Sequence, residues 1–234
     1  MRFLEILSSV ILLLVIAPFL LVISIILLLQ LKRIPIYIQK RAITLESKIF
    51  TIYKLRTLKE NTSNREDILN KNNLVDLTTK FTRWLRKTGM DEVPQLINVI
   101  KGDMGLIGPR PLMLEDLEIL KKDYPYYYSI RNEIKSKPGI TGMWQIFGDR
   151  TEGIKNLVAL DIYYELNKSA KLNWEILLLT IFIFLTARNS DAILDYSHSY
   201  KIKFINPIIA KRLMLVKGTN SNQKLDTNSY KVSA

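Results

Sequence analysis

The chain opens on an almost unbroken apolar stretch. From Leu4 to Leu31 only Glu5 is charged, and at about 1.5 Å per residue this run makes a helix of roughly 42 Å, against a bilayer core of roughly 30 Å. Pro18 divides it into halves of about 21 Å, neither long enough to cross alone. The pattern then changes period. Ile36-Tyr37-Ile38-Gln39 and Ile49-Phe50-Thr51-Ile52-Tyr53 read as two short strands joined by a loop. Residues 60 to 76, rich in Asn and charge, read as a surface connection. A helix follows from Thr79 to Lys87, and another is expected to start at Asp91 or its neighbour, with Pro94 in its first turn and Gly102 as its stop. Its apolar positions Leu96, Ile97, Val99 and Ile100 seat it on a core. From Leu114 to about Arg131 the spacing is again helical, with Pro125 expected to break or redirect the chain. The 14-residue run from Trp174 to Ala187 is too short to span a bilayer and reads as a buried or interfacial helix. Gly218 to Ala234 is polar enough to be disordered.

Composition narrows the classes. The net charge is +12, and Lys32, Arg33, Lys40 and Arg41 crowd the exit of the apolar run. The positive-inside rule therefore places the bulk of the chain in the cytoplasm, and the same cations attract anionic lipid. The charge is scattered and no recognition motif accompanies it, so nucleic acid is not the expected partner. The apolar run is too long for a cleaved signal peptide, and no small-x-small site follows it. With no cysteine and His198 alone, thiolate and histidine-rich metal sites are excluded. Any metal is then hard and oxygen-bound, and Mg²⁺ is the natural choice. Asp-x-Asp, P-loop and Rossmann glycine patterns do not occur.

The most informative chemistry lies between Gly89 and Pro111, where the adjacent acids Asp91 and Glu92, a short helix, the turn Gly105-Leu106-Ile107-Gly108 and the Pro-flanked Arg110 follow one another. Taken alone, an acid pair at a helix start is usually a cap. Here arginines accompany it: Arg83 and Arg86 precede the acids, and Arg110 follows on a backbone stiffened by Pro109 and Pro111. Lys54 and Arg56 stand at the end of the strand pair. Cations of this kind, around acids, suit phosphate esters. Tyr124, Tyr126, Tyr127 and Tyr128 have the spacing of core or interface packing more than of a base-stacking platform.

This string resembles, almost position for position, the signature of the bacterial sugar transferases, the monotopic phosphoglycosyl transferases. Lys54-Leu55-Arg56-Thr57 is similar to the family's Lys-Phe-Arg-Ser/Thr motif, and Lys137-Pro138-Gly139-Ile140-Thr141-Gly142-Met143-Trp144-Gln145 to its Pro-Gly-Ile-Thr-Gly loop. Gly148, Arg150, Asp161-Ile162-Tyr163-Tyr164 and Asn167 continue the match, which covers about residues 1 to 190. Two positions depart from it: Ala17-Pro18 replaces the usual Ser-Pro, and Ile43 stands where Gly is common.

The resemblance implies an α+β fold, mainly α. Its parts are a re-entrant membrane helix hairpin over 1–33 and a cytoplasmic catalytic domain with a short β-hairpin and interfacial helices over 34–190; beyond the match, 191–234 reads from its composition as a basic, partly disordered extension. From the residues alone a hairpin and a single crossing kinked at Pro18 are equally compatible with the apolar run. The implied activity is transfer of a sugar 1-phosphate from a UDP-sugar to polyprenyl phosphate, at the cytoplasmic face of the bacterial inner membrane. Asp91 would be the nucleophile and Glu92 the Mg²⁺ ligand. Lys54, Arg56, Arg86, Arg110, Arg150 and Asp161 would contact substrate, with a helix cap or an ion pair the alternative for Asp161. A noncatalytic membrane-anchored module that binds lipid phosphates is the competing class; it would need the cations but not both acids.

Overall fold

The computed structural model describes residues 2–59, 77–148 and 153–186. Helix α1 spans Arg2–Leu31 and carries Pro18 inside it. The expected pair of helices with a break at Pro18 is therefore not found; the helix runs through. Proline removes one intrahelical donor, but the residues around it are apolar and offer the backbone no other partner, so continuing the helix satisfies more groups than breaking it. Among the described residues α1 is the one helix long and apolar enough to cross a membrane. It ends at Lys32, which takes a left-handed conformation and donates its amide to Leu28 O at 2.9 Å.

Both ends of α1 are attached to the rest of the fold. Arg2 donates to the carbonyls of Met104, at 2.9 Å, and Val99. At the other end Ile23, Leu27 and Leu31 pack with Leu55, Leu85 and Met90 in one core cluster. Most of the remaining apolar surface of α1, including Leu14, Val15, Phe19, Leu21 and Leu29, is exposed.

The expected strand pair is present and longer than its apolar cores: β1, Ile36–Ala42, pairs antiparallel with β2, Phe50–Leu55. A two-residue strand β4, Leu112–Met113, adds to the other side of β1, giving the order β2-β1-β4. Helix α2, Lys80–Thr88, is capped by Thr79 in a reciprocal capping box. Met90–Gln95 is a 3-10 helix, not the α-helical start expected, and α3 occupies only Leu96–Lys101. Pro94 explains the difference. An α-turn opening at Met90 needs the amide of residue 94, which proline lacks, and the chain closes with shorter bonds such as Glu92 N to Gly89 O at 3.0 Å. Gly102 then ends α3 at φ 89°, a left-handed cap that glycine adopts without strain.

Pro125 divides the next helical stretch as expected, into α4, Leu114–Asp123, and α5, Pro125–Arg131. Strands β3, Gly105–Ile107, and β5, Gly139–Thr141, form a separate parallel pair. Three further helices follow: α6, Met143–Phe147, α7, Gly153–Asn167, and α8, Ala170–Thr186. The last contains the Trp174 run as far as Thr186, begins four residues earlier than read from the sequence, and buries Ile176 while Trp174, Leu178, Phe182 and Leu185 face outward. The architecture is α+β and mainly helical. The surface connection expected over 60–76, and residues 191–234, lie outside the described residues.

Candidate active site

Three local devices bring distant residues to one cleft. The first holds β2. Among the described residues no strand neighbours its outer edge, and the buried side chain of Asn98 takes that place: its Nδ2 donates to Thr51 O at 2.6 Å and its Oδ1 accepts from Tyr53 N at 3.3 Å. An edge that would otherwise stay unpaired is thereby fixed to α3. This sets Lys54, at the end of β2, against Glu92 in the 3-10 turn, with Nζ 2.5 Å from Oε1.

The second device joins the two glycine-containing loops. Gly108 N donates to Thr141 O and Gly139 N to Pro109 O, both at 3.0 Å. A Cβ on Gly108 would lie 2.2 Å from Lys137 O, and one on Gly139 would lie 2.0 Å from Gly108 N. Only a residue without a side chain lets these backbones meet so closely. The Pro-Arg-Pro segment is thus laid directly on β5.

The third device holds Arg110 itself. Asp161, in the middle of α7, accepts the Arg110 amide at 3.1 Å. Arg131, at the end of α5, donates to the Arg110 carbonyl at 2.5 Å, to Asp161 Oδ2 at 2.6 Å and to Ile43 O at 2.7 Å. Arg131 and Asp161 are both 0% exposed. Burial pushes the Asp161 carboxyl above the usual carboxylate range, and the Arg131 guanidinium opposes that shift. Both polar groups of the Arg110 peptide are therefore held, and its guanidinium reaches toward Glu92, with NH2 3.9 Å from Oε1.

The result is a small, narrow cleft whose lining includes Arg41, Lys54, Glu92, Gln95, Arg110 and Gln145. Lys54 and Arg110 face the Glu92 carboxylate, and Arg41 adds a third cation to the lining while bonding Gln39. Asp91 is buried, at 8% exposure, and is not part of that lining. Successive residues of a 3-10 helix are turned by about 120°, so the two acids do not point the same way.

The residues expected at the site divide accordingly. Lys54, Glu92 and Arg110 come together. Arg56 donates to Ile34 O at 3.0 Å and lies over the Tyr37 ring, away from the cleft lining. Arg86 donates to Thr57 Oγ1 at 3.3 Å, and Arg83 faces a different groove. Asp161 takes the ion-pair place that was its alternative. Arg150 lies outside the described residues. Arg131 was missed, as was the place of Arg41 in the lining. For Arg41 the signal was available: strand alternation puts it on the same face of β1 as Gln39, whose amide oxygen it binds at 2.7 Å. The four tyrosines separate too, with Tyr128 buried and Tyr126 exposed.

Among the described residues no three His, Asp or Glu side chains gather as a metal site. Mg²⁺ often takes only one or two carboxylates and completes its shell with water and substrate phosphates. Glu92, a hard oxygen donor on the cleft, fits that use.

Comparison with known proteins completes the description. A model of the bacterial sugar transferase family matches residues 1–187. An uncharacterized sugar transferase, EpsL, of Bacillus subtilis (strain 168) is 38% identical over 147 residues, 63% of this chain and 68% of that protein. The undecaprenyl-phosphate galactose phosphotransferase of Salmonella typhimurium is 43% identical over 89 residues, 38% of this chain and 17% of its own length. The undecaprenyl-phosphate glucose phosphotransferase of Komagataeibacter xylinus is 30% identical over 197 residues, 81% of this chain and 36% of its own. The chain thus spans most of the first relative and a minor part of the other two.

Proposed function

The chain belongs to the bacterial sugar transferase family, and from that premise we propose that it moves a sugar 1-phosphate from a UDP-sugar to polyprenyl phosphate, as an early membrane step in assembling a polysaccharide or related glycan. The observation that carries this reading is the cleft in which Lys54 and Arg110 face Glu92 and Arg41 shares the lining. Both reactants are phosphate anions. Bringing them together needs several cations at one place, and a carboxylate beside those cations can hold a metal ion that offsets the remaining phosphate charge.

In the first step an Asp91 carboxylate oxygen attacks the phosphorus that bears the sugar. The bond from that phosphorus to the bridging oxygen breaks, UMP leaves with that oxygen, and an aspartyl phosphosugar remains. A phosphate oxygen of polyprenyl phosphate then attacks the same phosphorus. The bond to Asp91 breaks, the carboxylate is regenerated, and the sugar leaves as its polyprenyl diphosphate. Arg110 and Lys54 hold the phosphate oxygens on which charge accumulates, Arg110 through its planar fork. Mg²⁺, held by Glu92, would supply further charge neutralisation. The nucleophilic role of Asp91 follows the family resemblance, and its place beside Glu92 in the 3-10 turn keeps it next to the cleft.

A shared membrane face for the helix start and the domain has support in the attachment of α1, and the cations Lys32, Arg33, Lys40 and Arg41 beside it favour the cytoplasmic one. A straight helix of 30 residues is about 45 Å long. Arg2 nevertheless binds Val99 O and Met104 O in the domain that packs on Leu27 and Leu31, which favours an anchor that lies against one face of the bilayer.

The test uses the purified full chain with Mg²⁺, polyprenyl phosphate and a panel of UDP-sugars. One sugar is expected to give UMP. Denaturing the protein after incubation with that donor alone should leave the phosphosugar mass on the peptide containing Asp91, and Asp91→Asn should remove both signals while the circular dichroism spectrum stays unchanged. Absence of UMP with every sugar would favour the noncatalytic module, and label on Glu92 would reassign the nucleophile.

A further inference from the structure

Outside the cleft, one helix carries a charge pattern that the proposed transfer does not use. Helix α2 has four cations and no acid. Lys80, Arg83, Trp84 and Lys87 follow one another at i, i+3, i+4 and i+7, the spacing of a single helical face, and together they line an open groove. Trp84 is 47% exposed and stacks on Phe81. The opposite face is fully committed: Leu85 is buried in the core cluster formed with Ile23, Leu27 and Leu31 of α1, and Phe81 packs against that cluster. Thr79, the cap of α2, donates to Gln30 near the end of α1 at 3.1 Å.

Both helices packed against α2 carry apolar surface that water does not suit. Helix α1 leaves Leu21, Leu28 and Leu29 exposed, and α8, which contacts α2, exposes Trp174, Leu178, Phe182 and Leu185 along one stripe. A cationic groove bearing an indole, on a helix packed against two others that expose apolar side chains, matches the boundary of a bilayer, where indoles settle at headgroup level and lysine or arginine meets lipid phosphate. We infer that the Lys80–Arg83–Trp84–Lys87 face of α2 is a docking site for anionic phospholipid headgroups, separate from the catalytic cleft. This rests on the membrane-attached reading of the chain and adds a preference for acidic over zwitterionic lipid. Charge complementarity selects that occupant: phosphatidylcholine has a cation that would face three others, whereas phosphatidylglycerol has a net negative charge.

The experiment places the full chain in lipid nanodiscs, with neither UDP-sugar nor polyprenyl phosphate present, so its outcome is independent of the transferase reading. Trp174→Phe removes one exposed indole and leaves Trp84 as the exposed reporter, Trp144 being buried. Dibrominated phosphatidylglycerol, at equal mole fraction, is expected to quench Trp84 at least about twofold more than dibrominated phosphatidylcholine. The difference should shrink at high salt and disappear in Lys80→Gln/Arg83→Gln/Lys87→Gln. The single variant Arg83→Lys keeps the charge and should keep the preference, which separates loss of charge from loss of fold. Equal quenching by the two lipids overturns the inference. So does a preference that survives the triple substitution, or one abolished by millimolar inorganic phosphate, which would mark a site for free anions instead of a lipid surface.

Discussion

Asp161 and Glu92 each face cations, and each acts on Arg110, from opposite environments. Asp161 is fully buried, paired with a buried arginine, and its oxygens are bonded to Arg131 and to the Arg110 amide. Glu92 stands on the cleft with its side chain 12% exposed, close to Lys54 and more loosely faced by Arg110 at 3.9 Å. The first arrangement fixes where the Pro-Arg-Pro backbone lies. The second leaves an arginine and a lysine able to exchange a carboxylate for a substrate phosphate. A buried pair of charges contributes little net stability over apolar residues, yet removing one partner is costly. A cleft pair costs less to disrupt and more to do without in catalysis.

The comparison breaks most strongly at Arg131. Arg131→Met leaves Asp161 buried without its cation and should lower unfolding free energy by about 3–5 kcal/mol, read from denaturant melts. Arg131→Met/Asp161→Leu, which removes both charges, should recover a large part of the loss while activity stays low, because the Arg110 peptide has lost both its anchors. Equal destabilisation in the single and double variants would show that the two groups do not work as a pair.

Glu92→Gln tests the other side. The amide keeps the shape, so stability should change by less than about 1 kcal/mol, while kcat/KM falls by about 100-fold or more. Added Mg²⁺ should restore part of that activity. Activity near that of the unaltered protein would make Glu92 a partner for Lys54 and nothing more.

Arg110→Lys comes next in size. Lysine preserves the charge but not the two-pronged donor, and losing one charge-assisted bond, about 1.5–3 kcal/mol, predicts roughly a 10- to 100-fold fall in kcat/KM. Its backbone anchors remain, so the melting curve should not move. Undiminished turnover would reduce Arg110 to a general source of positive charge.

The contrast between the two carboxylates also marks what the sequence can disclose. The strand pair, the break at Pro125 and the stop at Gly102 were legible because each depends on a few neighbouring residues. Lys54, Glu92 and Arg110 were legible as chemistry, since cations around an acid read as phosphate equipment before any contact is known. Arg131 was not. Its neighbours Asn132, Glu133 and Lys135 are those of a solvated helix end, and its burial follows from Asp161, Ile43 and Arg110, none of them near it in sequence. The same nonlocality hid the partners of Arg56 and Arg86, which include a loop carbonyl and Thr57. At Pro18 and Pro94 the local rule was present but incomplete: one proline is absorbed by a helix with no better partner for its backbone, and the other shortens a turn from α to 3-10.

The smallest expected effect concerns a third carboxylate, which extends the comparison to the surface. Glu46, in the β1–β2 loop, is exposed, accepts from the Tyr128 hydroxyl and pairs with Lys121 at 2.9 Å. The same hydroxyl accepts the Leu45 amide at 3.0 Å, tying the loop to α5. Tyr128→Phe removes both bonds yet leaves Glu46 in water with its lysine, so a loss of only about 1 kcal/mol is expected. Burial, and then the Glu46 hydrogen bond, push the Tyr128 hydroxyl up to about 12. A group that holds its proton more tightly when folded contributes that stability fully below its unfolded value near 10 and loses it as pH rises toward 12. Denaturant midpoints measured from pH 9 to 12 should therefore fall more steeply for the unaltered protein than for Tyr128→Phe, with the two curves converging at the alkaline end. Parallel curves would mean that the loop is held by Lys121 and packing, and that the tyrosine hydroxyl contributes nothing that titrates.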